Sequence, residues 1–360
     1  MPRLRQLTNY MGAAGLHWIC SVPIGITISL IGLIGNVISV IIWFHLNQSK
    51  SRRNKSTAQY FISLAFCDSA LLLFFLLHDS LPSLVSTIKS NYYYAATWCW
   101  FLFPMFFFAL VCSIWVVVGV TINRYIMIAF PTKVQIIYSD TRSKIGIFGI
   151  TLFAFLVNLP HFFTYHAVKD GENGDYKITH TEYGASEAST NYEFWAHCIA
   201  LVLGPWVVIA ILNGLIIKIL KNQMKKFTKE KPTKQMRQEQ QMTRTLLFIT
   251  FSFLILLAWQ CVTQCFWMLG YGKGHANQNI WTTVDKSFAF AKLGVIINSS
   301  INWIFYCFTC SLFRKETRKF LGLRKSGNNH DRSSNFSSSI TKSSSLGKPE
   351  SCMIIANTGV

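Results

Sequence analysis

Charge is scarce in this chain. Only 14% of its 360 residues are Asp, Glu, Lys or Arg, and 15 acids stand against 34 basic residues. A soluble protein carries about a quarter charged residues, so a chain surrounded by water on all sides is excluded. Enzyme signatures are missing too: there is no HExxH, no GxSxG and no pair of acids at hydrolase spacing, and the nine His are scattered. The single CxxC, Cys307 and Cys310, has neither a second pair nor a nearby His, which argues against zinc. No aromatic-interleaved basic module accompanies the positive charge, so nucleic acid is not the expected partner. No internal repeat is visible, unlike the duplicated halves of many transporters.

What the chain has in abundance is apolar. Hydrophobic residues make up 51%, with 29 Phe and 11 Trp. About 20 predominantly apolar residues cross a bilayer as a helix, and seven segments qualify: 19–46, 57–84, 96–129, 143–165, 194–220, 243–270 and 283–312. The expected fold is an all-α membrane protein, a seven-transmembrane helix bundle. The first 17 residues are polar and the first apolar run is too long for a signal core, so a cleaved signal is not expected.

Basic residues set the orientation. They crowd the loops after spans one and three (Lys50, Arg52, Arg53, Lys55; Lys133, Arg142, Lys144), the segment 221–242, and the tail from Arg314 to Lys348. Residues 1–18 are therefore expected outside and the C-terminus in the cytoplasm, with 19–312 as the membrane domain. The net charge of +19 then lies mainly on the inner face, where it suits anionic lipid or an acidic partner. Residues 313–325, within SLFRKETRKFLGLRK (311–325), are expected to form a short amphipathic helix on the inner interface. Residues 326–360 are serine-rich and expected to be disordered; their end, Thr358-Gly359-Val360, suits strand addition to a PDZ domain.

Two polar residues stand where they are expensive. Asp68 lies in the middle of span two, in SLAFCDSALLLFF, and span seven offers Asn298, Ser299 and Asn302. Positions 298 and 302 share a helical face. One carboxylate among neutral oxygens is what a small hydrated cation such as sodium requires; a hydrogen-bonded cluster holding the two spans together is the alternative. Arg124 follows Cys99 by 25 residues, roughly 37 Å of helix and a full crossing. It is expected at the inner surface, where an arginine can snorkel.

Seven spans with these residues resemble the rhodopsin-like (class A) G-protein-coupled receptors over about 19–323. Gly35-Asn36 matches the GN pair of span one, and Leu64-Ala65 with Asp68 matches LAxxD. Asn123-Arg124-Tyr125 stands at E/DRY, Pro160 and Pro205 at the prolines of spans four and five, Trp259 at CWxP, and Asn302 to Tyr306 at NPxxY. The resemblance implies a ligand-driven two-state bundle that opens an inner cleft for a heterotrimeric G protein. It implies that Arg124 contacts the G protein, that Tyr306 stabilises the open form and that Trp259 senses ligand. It adds Ser113 to a sodium pocket with Asp68, Asn298, Ser299 and Asn302, the one ion implied and the only cofactor. Arrestin joins the PDZ domain as an expected partner of the tail. The rival class is a transporter or channel conducting past Asp68 and Arg124.

Several motif positions depart from the family. Asn123 replaces the acid before the arginine, Trp303 and Cys261 replace prolines, and Asn213 and Gln241 stand where a tyrosine and an acid are usual. With no opposite charge clamping Arg124, raised ligand-independent activity is expected. Loop 166–192 has no cysteine, so the disulfide usual from Cys99 lacks its usual partner. No acid lies one helical face below Cys99, which disfavours amines, and Ile296 stands where a retinal pigment needs lysine. Eight of the 15 acids fall on the expected outer side, which attracts a cation. The overall pattern is similar to invertebrate FMRFamide-type neuropeptide receptors, with a short cationic peptide as ligand at the plasma membrane. Candidate contacts are Asp79, Phe106, Lys292, Glu182 and Glu187. Asp79 either pairs with Lys292 or receives a peptide arginine.

Overall fold

The computed structural model describes residues 12, 14–48, 52–130, 140–171, 174–226, 234–263, 266, 278–320 and 322. Most of the N-terminal segment, Cys265 and the serine-rich tail with its terminal Thr358-Gly359-Val360 lie outside the described residues.

Among the described residues, seven helices are long and apolar enough to cross a membrane: Ala14–Asn47, Lys55–Leu84, Tyr92–Ala129, Thr141–Phe163, Glu187–Gln223, Gln240–Thr263 and Thr282–Thr309. They are spans one to seven below, and outer denotes the side of Cys99. Span one starts at Ala14 rather than residue 19, and span five at Glu187 rather than 194. The extension of span five is polar, so hydropathy does not register it. Its start is fixed by Ser186, whose Oγ accepts the Ser189 N–H at 3.2 Å, with Glu187 in the first turn; both features favour a helix N-terminus.

Span three is the axis, packed against spans two, four and five, and contacts of five with six, six with seven, seven with one and one with two close the ring. It is buried almost all round, from Ala109 through Val116, Val117 and Val120 to Met127, as a central helix should be. Between spans in lipid, close packing replaces the hydrophobic effect, and small residues permit it. Gly35 shows why: a Cβ there would overlap the Trp303 indole, and one at Gly32 would overlap the Ser300 hydroxyl. The bulky Trp303 at the proline's position is thus accommodated by a glycine on span one.

The outer halves of four spans are widened by π-helical turns, at Cys20–Ile24, Leu76–Ser80, Trp98–Leu102 and His197–Leu203. Each contains or immediately precedes a proline turn: Pro23 within the first, then Pro82, Pro104 and Pro205 just beyond the others. Proline lacks an N–H and its ring crowds the carbonyl four residues back; an extra residue in the turn relieves both. These turns bring His78 and His197 to the bundle interior.

Between spans four and five the chain forms a hairpin that the apolar periodicity does not announce. Strand β1 (Tyr165–Asp170) pairs antiparallel with β2 (Asp175–His180), from Tyr165 opposite His180 to Asp170 opposite Asp175. Gly171 (φ 73°) and Gly174 (φ 80°) take the left-handed conformation that the reversal requires. After span seven, a helix runs Ser311–Phe320, with Phe313 buried. It stops short of residue 325 because Gly322, at φ 67°, turns the chain and donates its N–H to the Lys319 carbonyl at 3.1 Å. Packing divides the chain at Lys315, and the second unit, 316–360, contributes only the end of this helix to the described residues.

Candidate functional site

The outer half of the bundle encloses a cavity of about 490 Å³. Of the expected ligand contacts, Asp79, Phe106 and Lys292 line it, together with Glu193, Asp285, His78, His197 and Tyr165. Glu182 and Glu187 do not: both side chains are exposed outside the cavity. The acid that enters is Glu193, six residues along the same helix from Glu187, because the span starts early and carries that residue inward.

Asp79 is already taken. Lys292 Nζ lies 2.8 and 2.9 Å from its two carboxylate oxygens, and Ser21 Oγ donates to Oδ2 at 2.5 Å. The pairing alternative is the one the structure adopts, and it knots spans one, two and seven. The walls are aromatic. His78 is stacked between Trp98 (centroids 5.0 Å) and Phe106 (5.1 Å). Phe107 is stacked on His161 (4.8 Å) and His197 (4.9 Å).

Tyr165 anchors the hairpin to span three, its ring 5.4 Å from Trp98 and 4.9 Å from Phe103. Burial, with Glu193 and Cys99 beside it, pushes the Tyr165 hydroxyl up to about 12, so it is neutral at physiological pH. Cys99 is fully buried and carries a free thiol. These ring contacts tie the hairpin to span three beside the Cys99 thiol.

Trp259 does not line the cavity. It is 44% exposed, and its indole N–H donates to the Ser287 carbonyl at 3.2 Å. Leu257 and Gln260 face the cavity instead. The reason is local: span six breaks at Leu257, where the Gln260 N–H bonds back only three residues at 3.0 Å. Gly294 of span seven lets the Leu256 carbonyl approach, since a Cβ would overlap it.

Below the cavity lies a polar core. Asp68 is fully buried; Ser113 Oγ donates to its Oδ1 at 2.5 Å and Asn302 Nδ2 to its Oδ2 at 2.7 Å. Ser299 lies beside the same carboxylate, and Asn36 Nδ2 donates to the Ser299 carbonyl at 3.0 Å. Four of the five expected sodium ligands therefore meet. Asn298 is buried one turn away, with its Oδ1 lacking a partner, as does Asn302 Oδ1. One carboxylate, hydroxyls and partnerless amide oxygens fit a hard monovalent cation.

At the inner end, Arg124 is 3% exposed. It does not snorkel, because the inward face of span three carries it into the bundle. Its Nη2 lies 3.0 Å from Met242 Sδ and its Nη1 3.7 Å from Met127 Sδ. Asn123 accepts from Ser56 Oγ at 3.2 Å, and Ser56 meets Ser143 at 2.7 Å, which ties spans two, three and four. Tyr125 is half-buried. Span six is held by neutral groups: Thr245 to Thr309 at 2.6 Å, Ser311 to Gln241, and Asn213 Nδ2 to Thr250 Oγ1 at 2.9 Å. Tyr306 is buried among Phe61 (5.1 Å), Trp43 (5.3 Å) and Phe313 (5.3 Å), with its hydroxyl unpartnered.

Comparison with known proteins agrees with this arrangement. The family model for the 7 transmembrane receptor (rhodopsin family) matches residues 35–306. The FMRFamide receptor of Drosophila melanogaster is 26% identical over 83% of this chain and 53% of its own length. The FMRFamide peptide receptor frpr-18 of Caenorhabditis elegans is 25% identical over 82% of this chain and 67% of its own. The rabbit (Oryctolagus cuniculus) neuromedin-K receptor is 28% identical over 44% of this chain and 32% of its own. The chain thus spans about half the length of the Drosophila relative. Buried Asp68 and Arg124, in a chain matched by receptors, leave the transporter reading unsupported. With seven membrane-crossing helices and a match covering most of the bundle, the chain belongs to the rhodopsin family of seven-transmembrane receptors.

Proposed function

We propose that this protein is a plasma-membrane receptor for a short cationic peptide of the FMRFamide type. Its N-terminus faces outside, and it activates a heterotrimeric G protein from the end that carries Arg124. The observation that carries this reading is the acid-bearing, aromatic-walled cavity in the widened outer half of the bundle. Its volume suits one end of a small peptide rather than a folded hormone, and two relatives are named for FMRFamide. By its letters that peptide is Phe-Met-Arg-Phe with an amidated end, one cation among apolar side chains, which matches the wall chemistry.

Sodium in the polar core, held by Asp68, Ser113, Ser299 and Asn302 with Asn298 nearby, holds the closed arrangement. Opening then exposes Arg124 to the G protein while Tyr306 finds a partner for its hydroxyl. The basic inner face meets anionic lipid, and the tail offers sites for arrestin and a PDZ protein.

The test is expression in cells with reporters for each Gα class, measuring basal signal and the response to FMRFamide. A saturable response of nanomolar to micromolar potency is expected. Silence in every reporter, from a receptor shown to be at the cell surface, would overturn the reading.

A further inference from the structure

Three acids line the outer cavity, and they are not equivalent. Asp79 is neutralised by Lys292 at 2.8 Å and further satisfied by Ser21. Asp285 sits exposed at the rim, its carbonyl bonded to His17 Nε2 at 2.8 Å. Glu193 is different. Its side chain is 22% exposed, and the one basic partner it meets among the described residues is His161 Nδ1 at 3.9 Å, too far for a hydrogen bond. Its Oε1 is buried without a partner, as are His161 Nδ1, His197 Nε2 and the Tyr192 hydroxyl. A carboxylate left this way is costly unless something completes it.

The surroundings say what does. His161 and His197 are each stacked on Phe107, Phe103 meets His161 edge-on at 5.3 Å, and Tyr192 meets it edge-on at 6.3 Å. The cavity therefore presents the Phe107 and His197 rings, backed by buried His161, beside one unpaired carboxylate on the side of spans three and five. A planar guanidinium matches both parts, because it forks onto a carboxylate and stacks on rings. An ammonium would use only the charge.

We infer that Glu193, with the cavity-lining rings of Phe107 and His197, forms the subsite that takes the ligand's guanidinium, and that Asp79 does not. This rests on the peptide-receptor reading above and deepens it. Asp79 would have to surrender Lys292 to bind a second cation, whereas Glu193 gives up nothing. Specificity for arginine over lysine or citrulline then arises at span five.

The experiment pairs receptor and ligand changes. FMRFamide and its citrulline analogue are compared on wild type, Glu193→Gln, Glu193→Asp and Asp79→Asn at matched surface expression. On wild type, citrulline costs on the order of 100-fold in potency, as expected for a desolvated charge pair losing one partner. Glu193→Gln loses a similar factor with FMRFamide and no longer distinguishes the two peptides, while Glu193→Asp retains part of the preference. Asp79→Asn keeps the full preference whatever its absolute potency.

A Glu193→Gln receptor that still prefers arginine, or an Asp79→Asn receptor that does not, overturns the inference. A second measurement frees the result from the identity of the peptide. The purified full chain is warmed with N-acetylargininamide or N-acetylcitrullinamide at millimolar concentration. A rise in melting temperature with the arginine compound alone, lost in Glu193→Gln, supports the subsite even if FMRFamide proves silent. Equal shifts in wild type and Glu193→Gln refute it even if FMRFamide activates.

Discussion

Replacing Thr245 by valine should raise ligand-independent signalling. The side chain keeps its shape, and the one contact between helices that it loses is the hydroxyl pair with Thr309 at 2.6 Å. Thr245 is buried, so water does not replace the lost bond. A hydrogen bond between membrane helices is worth about 0.6 kcal/mol on average and about 1.7 at most. If the inner cleft opens between spans six and seven, the bond is made only in the closed form. Its loss then shifts the closed-to-open balance by about 3-fold to about 20-fold.

Basal second messenger, normalised to surface receptor, measures this directly. Thr309→Val should give the same rise, and the double variant no more than either single one, because one bond is removed once. Asn123→Asp should act in the opposite direction, placing an opposite charge beside Arg124. A Thr245→Val receptor with basal signal at or below wild type, or a double variant equal to the sum of the singles, refutes the neutral clamp.

Three more outcomes rest on the same geometry. Tyr306→Phe removes a buried hydroxyl that has no partner in this arrangement, a group that costs about 1–3 kcal/mol when unsatisfied. The purified variant should melt higher and signal less, and a lower melting temperature would contradict this. Asp68→Asn removes the charge at the centre of the polar core, so agonist binding should lose its sensitivity to sodium over choline; unchanged sensitivity would place sodium elsewhere. Cys99→Ser and mild reduction should leave agonist potency within about 3-fold, since Cys99 is a free thiol. Tyr165→Ala, which removes the ring contacts to Trp98 and Phe103, should cost roughly 10-fold or more through a loosened hairpin. Reversal of that order would restore a disulfide to the picture.

How much of the molecule is legible in its sequence depends on which force sets each feature. Membrane crossing is a property of contiguous composition, so seven spans and a helix after Cys310 can be read from apolar runs and charge. Asp68, Asn302 and Arg124 announce themselves because polar groups are costly in lipid. The ends of spans one and five are not legible, since a capped polar turn such as Ser186–Ser189 carries no hydropathy signal. The hairpin between spans four and five is hidden for a related reason. Its two strands are short, and its turn markers, Asp170-Gly171 and Asn173-Gly174, lie outside any apolar run. The π-helical turns have a sequence sign in Pro23, Pro82, Pro104 and Pro205, although proline alone does not say which way the extra residue is absorbed.

The class, the number of crossings and the identity of the polar residues are legible from the chain alone, because each arises from local chemistry and the thickness of a bilayer. The pairings come from the packing of the spans in three dimensions. Asp79 belongs to Lys292, Glu193 to no cation among the described residues, and Arg124 to thioethers rather than solvent. Trp259 turns away from the cavity because the break at Leu257, three residues before Gln260, rotates the outer end of span six. Such outcomes depend on angles between helices and on the register within each turn. Both arise from packing between residues far apart in the chain, and no stretch of the chain read alone contains them.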